Sequence, residues 1–128
     1  MDHKALAREM RGLREQVTGI TDTAVAAADG LLIAADTDGS IDPEGLAALA
    51  AAGLGLARRT AEATARGALH RTVTYGSHGC AAFYAVGDTA LMVVLADEGI
   101  EVDRLHRATQ PALRRIDLIL TEKAPEGV

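Results

Sequence analysis

Aromatic residues and cysteines are scarce in this chain of 128 residues. Tryptophan is absent, and the aromatic residues are Phe83, Tyr75 and Tyr84. A core would therefore have to be built from Ala, Val, Leu and Ile side chains. Cys80 is the single cysteine, which excludes an internal disulfide and favours a reducing compartment.

Long apolar runs are also absent. The N-terminus carries charges throughout and lacks the apolar stretch of a signal peptide. The longest uncharged apolar tract, residues 45–57, is shorter than the ~20 residues that span a bilayer. We therefore expect a cytoplasmic protein without membrane insertion. The length predicts a single domain over residues 1–128, with its core at about 3–121 and a flexible tail at 122–128.

Basic charge does not predominate in the chain. The net charge is −5 and the pI is about 5.3, and the basic residues are spread along predicted helices instead of being clustered in the sequence. This distribution argues against nucleic acid or an anionic membrane surface as the main partner.

Catalytic and nucleotide-binding motifs are missing as well. Ser40 and Ser77 are the only serines, and neither lies in a G-x-S-x-G nucleophile elbow. No P-loop G-x-x-x-x-G-K-[ST] occurs. The histidines and carboxylates fall on predicted helices, turns and caps, and none is placed as a general base beside a nucleophile. We expect a protein that is not an enzyme and needs no cofactor.

Two weak metal-ligand patterns occur. Residues 36–40, DTDGS, resemble the start of an EF-hand loop, but Ile41 and Ala47 stand where that loop needs a glycine and a bidentate glutamate. A second pattern is a cluster of soft ligands that would still need a fourth ligand to hold zinc. That cluster comprises His70, His78 and Cys80. We predict no metal site, and keep a small ligand-binding or catalytic cleft near the cluster as an alternative.

A hairpin signal in the first third of the chain is the strongest local pattern present. Residues 23–28 and 31–36 are apolar runs joined at Asp29 and Gly30. A two-residue Asp-Gly connection suits the twist of paired antiparallel strands. The pattern therefore predicts a hairpin that begins a sheet.

The remaining helices and strands follow from apolar periodicity. Predicted helices cover residues 3–17, 43–65 and 102–121, and further strands cover 69–75, 80–86 and 89–96. The last strand is continuously apolar, as expected at the centre of a sheet. Pro111 should kink the third helix or split it in two, and we favour one kinked helix.

Together these elements predict an α+β fold with one five-stranded antiparallel sheet and three helices, in the order α-β-β-α-β-β-β-α. Helix two should lie on one face of the sheet, and helices one and three on the other.

Helix two is apolar on two adjacent faces, whereas a helix at the surface of a monomer needs only one apolar stripe. The second face predicts contact with the same helix of another copy. The alternative is a central helix buried inside one domain. The predicted homodimer interface, which includes an edge strand, comprises Leu46, Ala47, Ala50, Ala51, Leu54, Ala57, Ala61, Arg71 and Val73.

The ordered set of elements resembles the roadblock / dynein light chain family over residues 13–120. The resemblance rests on VTGI at 17–20, AVAAADGLLIA at 24–34, AALAA at 47–51 and AVGDTALMVVL at 85–95. It implies a non-catalytic homodimer, of the type that regulates bacterial small GTPases, which binds a small Ras-like GTPase and modulates its nucleotide state. It also implies pairing through the second helix and an edge strand. The proline in the last helix and the scarcity of aromatic residues depart from the family pattern.

Charges follow the apolar part of helix two directly, and we predict them as the contact with the partner. They are Arg58, Arg59, Glu62 and Arg66. An arginine among them could be an inserted catalytic finger or a solvated side chain. One alternative function is a scaffold in a signalling complex, with a sensor kinase among its partners and no effect on GTP turnover. The other is the small-ligand or enzymatic domain named above.

Overall fold

The computed structural model describes residues 1–122. The predicted flexible tail lies, apart from its first residue, outside the described residues. The helices are α1 (His3–Gln16), α2 (Pro43–Ala63) and α3 (Val102–Thr121), and the strands are β1 (Ile20–Ala27), β2 (Leu32–Asp36), β3 (Arg71–Gly76), β4 (Gly79–Val86) and β5 (Ala90–Asp97).

All five strands form one antiparallel sheet in the order β2-β1-β5-β4-β3. The continuously apolar β5 lies at its centre, as predicted, and six of its eight residues are buried. The edges of the sheet are β2 and β3. The predicted fold class is confirmed.

The turn between β1 and β2 requires glycine for two reasons. Gly30 has φ +95°, a left-handed conformation that side chains rarely adopt. A Cβ on Gly30 would also lie 3.3 Å from Ala48 Cα, so α2 passes directly over the turn. Asp29 stabilises the same turn because its Oδ1 accepts a hydrogen bond from the Leu31 backbone N–H at 3.1 Å. The predicted hairpin is confirmed, but its connection has three residues, 28–30, instead of two, because the Ala27 N–H donates to the Leu31 carbonyl.

Two apolar layers cover the sheet. On one face α1 packs on β1 and β2, and α3 packs on β4. The two helices bury large side chains there, among them Leu6, Met10, Leu105 and Ile116. On the other face α2 buries smaller side chains against β1 and β5. The small side chains allow the helix axis to approach the sheet closely.

The start of α2 is stabilised by a capping side chain. Asp42 Oδ1 accepts a hydrogen bond from the Glu44 backbone N–H at 3.2 Å, and Pro43 occupies the first turn of α2.

Helix α3 continues through Pro111, so the alternative of two separate helices is excluded. Buried side chains on both sides of the proline hold α3 to the sheet, which offsets the missing backbone donor. Over residues 1–122, none of the helices has the length and apolar character needed to cross a membrane.

Candidate interaction surface on α2 and β3

The inner face of α2 packs on the sheet of its own protomer. Ala47, Ala50 and Leu54 are exposed by no more than 1% and contact the layer formed by β1 and β5. These three residues of the predicted interface are therefore covered by the sheet of the same chain and have no exposed surface to offer another copy. Helical periodicity identifies two apolar stripes but does not indicate which one meets the sheet.

The outer face of α2 carries large apolar side chains in solvent. Leu49 is 68% exposed and Leu56 is 66% exposed, and they lie two turns apart on one side of the helix. Around Leu49 is a shallow depression of about 710 Å³, which also borders Ile41, Leu46 and Ala52. Contiguous exposed apolar surface of this kind marks contact sites in soluble proteins.

A groove of about 520 Å³ separates the C-terminal half of α2 from β3. Ala57 and Ala61 line its α2 side, and Leu69, Arg71 and Thr72 line the other. Strand β3 pairs with β4 alone, so its outer backbone edge carries no strand within the described chain. An unpaired edge beside an apolar helix is a ready site for pairing with another chain.

The other predicted interface residues lie in different surroundings. Leu46 borders the depression on α2 and is partly buried. Ala51 packs by the turn at Gly30, and Val73 packs into the core on the α1 and α3 side. Of the nine predicted residues, the structure therefore places Leu46, Ala57, Ala61 and Arg71 along open surface.

The predicted partner-binding charges lie at the C-terminal end of α2 and just beyond it. Arg59, Glu62 and Arg66 are exposed, and Arg58 is half-buried. No oppositely charged group among residues 1–122 lies within 4.0 Å of any of the four. Arg66 is positioned by a left-handed cap, in which Ala65 has φ +55° and the Arg66 N–H donates to Ala61 O at 2.8 Å. The charges are therefore available to a partner.

The soft-ligand cluster is dispersed in the structure. His70 and His78 are exposed, and His78 Nδ1 lies 3.6 Å from Glu98 Oε1. Cys80 is buried, and burial raises the pKa of its thiol. Within the part of the chain that the structure describes, no three His, Cys, Asp or Glu side chains are grouped as metal ligands.

The EF-hand-like segment forms local turn contacts. Asp38 Oδ1 accepts hydrogen bonds from the Ser40 N–H at 2.9 Å and from the Ser40 hydroxyl at 2.6 Å. These bonds hold the pKa of the Asp38 carboxyl below its usual range. Asp36 forms an ion pair with Arg14 of α1 at 3.0 Å. The acidic residues of this segment therefore have structural roles.

One partly buried polar contact was not predicted from sequence. The Tyr84 hydroxyl of β4 and His106 Nδ1 of α3 lie 2.6 Å apart and share a hydrogen bond. Burial raises the pKa of Tyr84 to about 12, and burial together with the nearby Arg71 lowers the pKa of His106. Arg71 is the cross-strand partner of Tyr84, so a charge of the edge strand lies on the strand pair that carries this contact. The predicted strand 80–86 includes Tyr84, but only the packed structure identifies the partner of its hydroxyl.

Comparison with known proteins shows which family the chain resembles. A family model described as Roadblock/LC7 domain matches residues 6–96. An uncharacterized protein of Methanocaldococcus jannaschii is 34% identical over 98 residues, which cover 77% of this chain and 85% of that protein.

Two solved structures are similar to the chain over most of its length. A Roadblock/LC7 domain from Streptomyces avermitilis has a TM-score of 0.81 and 20% identity, covering 89% of this chain and 96% of that one. Myxococcus xanthus MglB has a TM-score of 0.85 and 16% identity, covering 94% of this chain and 98% of that one. At these identities the two structures support the fold alone.

Proposed function

Because the chain belongs to the Roadblock/LC7 domain family, we propose that it is a non-catalytic homodimer that binds a small Ras-like GTPase and modulates its nucleotide state. The observation that carries this proposal is the exposed apolar stripe of α2 beside the unpaired edge of β3. The family resemblance in the sequence supplies the class of partner.

A second copy of the chain satisfies both surface features together. In a two-fold symmetric dimer each copy presents the same patch to the other. Two β3 edges pair as antiparallel neighbours and extend the sheet across both copies. A two-fold axis perpendicular to the sheet keeps both α2 helices on one face, where Leu49 and Leu56 line their contact. The partner copy then covers the groove between α2 and β3.

The charges at the end of α2 are the proposed contact with the GTPase. In the proposed dimer, the two copies of this charged group lie on the same face, because both α2 helices lie on that face. A dimer that binds one nucleotide state of the GTPase better shifts the GTPase toward that state. If hydrolysis is stimulated, we favour repositioning of the GTPase's own residues over an inserted arginine.

Single-turnover hydrolysis separates these two routes. An arginine finger contributes about 10³–10⁵ in rate. Replacing Arg59 or Arg66 with Ala should then abolish stimulation even when the GTPase is saturated. Under the repositioning route the same substitutions weaken binding, while the rate at saturation is retained.

Binding and hydrolysis assays with a candidate Ras-like GTPase test the function itself. A regulator binds the GDP-loaded and GTP-loaded forms unequally or changes the rate of hydrolysis. A scaffold in a signalling complex, with a sensor kinase among its partners, binds without either effect. Failure to bind any candidate in both states removes the support for a GTPase partner and leaves the family assignment standing.

The alternative of a small-ligand or catalytic cleft is tested by a triple substitution. His70→Ala, His78→Ala and Cys80→Ala remove every member of the soft-ligand cluster. On our proposal this variant retains GTPase binding, because the proposed contact uses none of these three side chains.

A further inference from the structure

A second charged surface lies on the side of the sheet opposite α2. Six basic side chains of α1 and α3 are exposed there: Lys4, Arg8, Arg11, Arg104, Arg107 and Arg114. In each helix their spacing places them on one stripe, opposite the side chains that pack on the sheet. The helices lie side by side, joined by an ion pair of 2.7 Å between Arg115 Nε and Glu9 Oε1. We call the surface that carries both stripes the α1–α3 face.

The α1–α3 face is positive in an acidic chain. Helices α1 and α3 contain eight Arg and Lys residues and four Asp and Glu residues, a net charge of +4, whereas the whole chain has a net charge of −5. Arg14 and Arg115 are neutralised by ion pairs with Asp36 and Glu9. Within residues 1–122, none of the six residues of the stripes has a carboxylate within 4.0 Å. The packing of α1 against α3 therefore brings together basic side chains that lie far apart in the sequence.

We propose that the α1–α3 face binds an acidic segment of a partner protein. Five of the six cations are arginine, whose planar guanidinium binds carboxylates through two parallel hydrogen bonds. Leu118, which is 70% exposed, lies on the same outer side of α3 as Arg107 and Arg114. It supplies an apolar contact within the charged surface, as in other protein interfaces.

The composition of the face favours a protein segment over a lipid surface or nucleic acid. The described part of α1 and α3 contains no Trp, Tyr or Phe that could insert into a membrane or stack on bases. A short acidic segment meets only the local positive field, because charges farther than about 8 Å are screened at physiological ionic strength. An extended polyanion would also approach the acidic remainder of the chain, which would repel it.

The site does not depend on the proposed dimer or on the GTPase contact. Both of those use α2 and the edge of β3, whereas the α1–α3 face lies across the sheet from α2. The protein can therefore hold two partners at once, which is the property of an adaptor.

Fluorescence anisotropy with a labelled oligoglutamate peptide tests the proposal. The full chain should bind the peptide at low salt and lose affinity as salt is added. The α3 variant, Arg104→Glu with Arg107→Glu and Arg114→Glu, should bind at least about tenfold more weakly. Its circular dichroism and thermal melting should match the wild type, since the three side chains are exposed and unpaired.

A control variant carries the same change of charge on the other side of the sheet. The α2 variant, Arg58→Glu with Arg59→Glu and Arg66→Glu, should lose much less affinity for oligoglutamate. An equal loss in both variants would show a general charge effect and overturn the proposal, as would the absence of salt-sensitive binding. Tighter binding to anionic phospholipid vesicles or duplex DNA, removed by the α3 variant, would also overturn it and assign the face to that ligand instead.

Discussion

The substitution Leu49→Asp isolates the contribution of α2 to dimer formation. Leu49 is 68% exposed in the protomer. Complete burial of a leucine contributes about 1.5–3 kcal/mol, so covering the exposed part contributes about 1–2 kcal/mol. A two-fold interface contains the residue twice, and the loss is therefore about 2–4 kcal/mol before the cost of desolvating two carboxylates. The dissociation constant of the dimer should rise by about 10–10³.

Light scattering over a concentration series measures this change. The wild type should have about twice the protomer mass of 13.3 kDa, and Leu49→Asp should approach the protomer mass at the same concentration. Leu118→Asp is the matched control, because Leu118 is 70% exposed on α3, away from the proposed interface. A wild type that is monomeric at micromolar concentration would refute the reasoning. Equal dissociation of the Leu118→Asp control would refute it too.

Three further predictions test local structure. Ala65→Gly should raise the free energy of unfolding by about 0.5–1 kcal/mol in urea titrations, since Ala65 has φ +55°, whereas Ala63→Gly within α2 should lower it by a similar amount. Gly30→Val should lower it by more than about 2 kcal/mol, because a Cβ there approaches Ala48 Cα at 3.3 Å in a left-handed conformation; full stability would contradict this account of the turn. Burial lowers the pKa of His106 in the folded chain. As the pH falls below about 6.5, the unfolded chain therefore binds a proton at His106 before the folded chain does, which favours unfolding. Wild-type stability should therefore decline there more steeply than that of His106→Gln, and parallel curves would show that His106 contributes nothing.

Most of the fold could be predicted because its local signals agree with its tertiary packing. The turn at Gly30, the cap at Asp42 and the apolar run of β5 each specify one structure, and each is observed. The start of β1 at Ile20, three residues before the predicted start at 23, could not be predicted. Thr21 and Asp22 are polar, and the pairing of this segment with β5 is a long-range contact without a local pattern.

The interaction surface could be predicted less well, because it depends on how helices are oriented. Two apolar stripes of α2 are visible in the sequence, but only the packed structure shows that the stripe with Ala50 and Leu54 is the one that meets the sheet. Likewise, the basic residues of α1 and α3 are about a hundred positions apart in the chain and become neighbours only when the helices pack together.

Nucleotide-dependent binding of a Ras-like GTPase tests the central claim most directly. The dissociation constants for the GDP-loaded form and for the form loaded with a non-hydrolysable GTP analogue should differ by about tenfold or more, which corresponds to about 1.4 kcal/mol of differential affinity. The α2 variant should lose this binding, and the α3 variant should retain it. Equal affinity for both nucleotide states, or binding that the α2 variant leaves unchanged, would contradict the account.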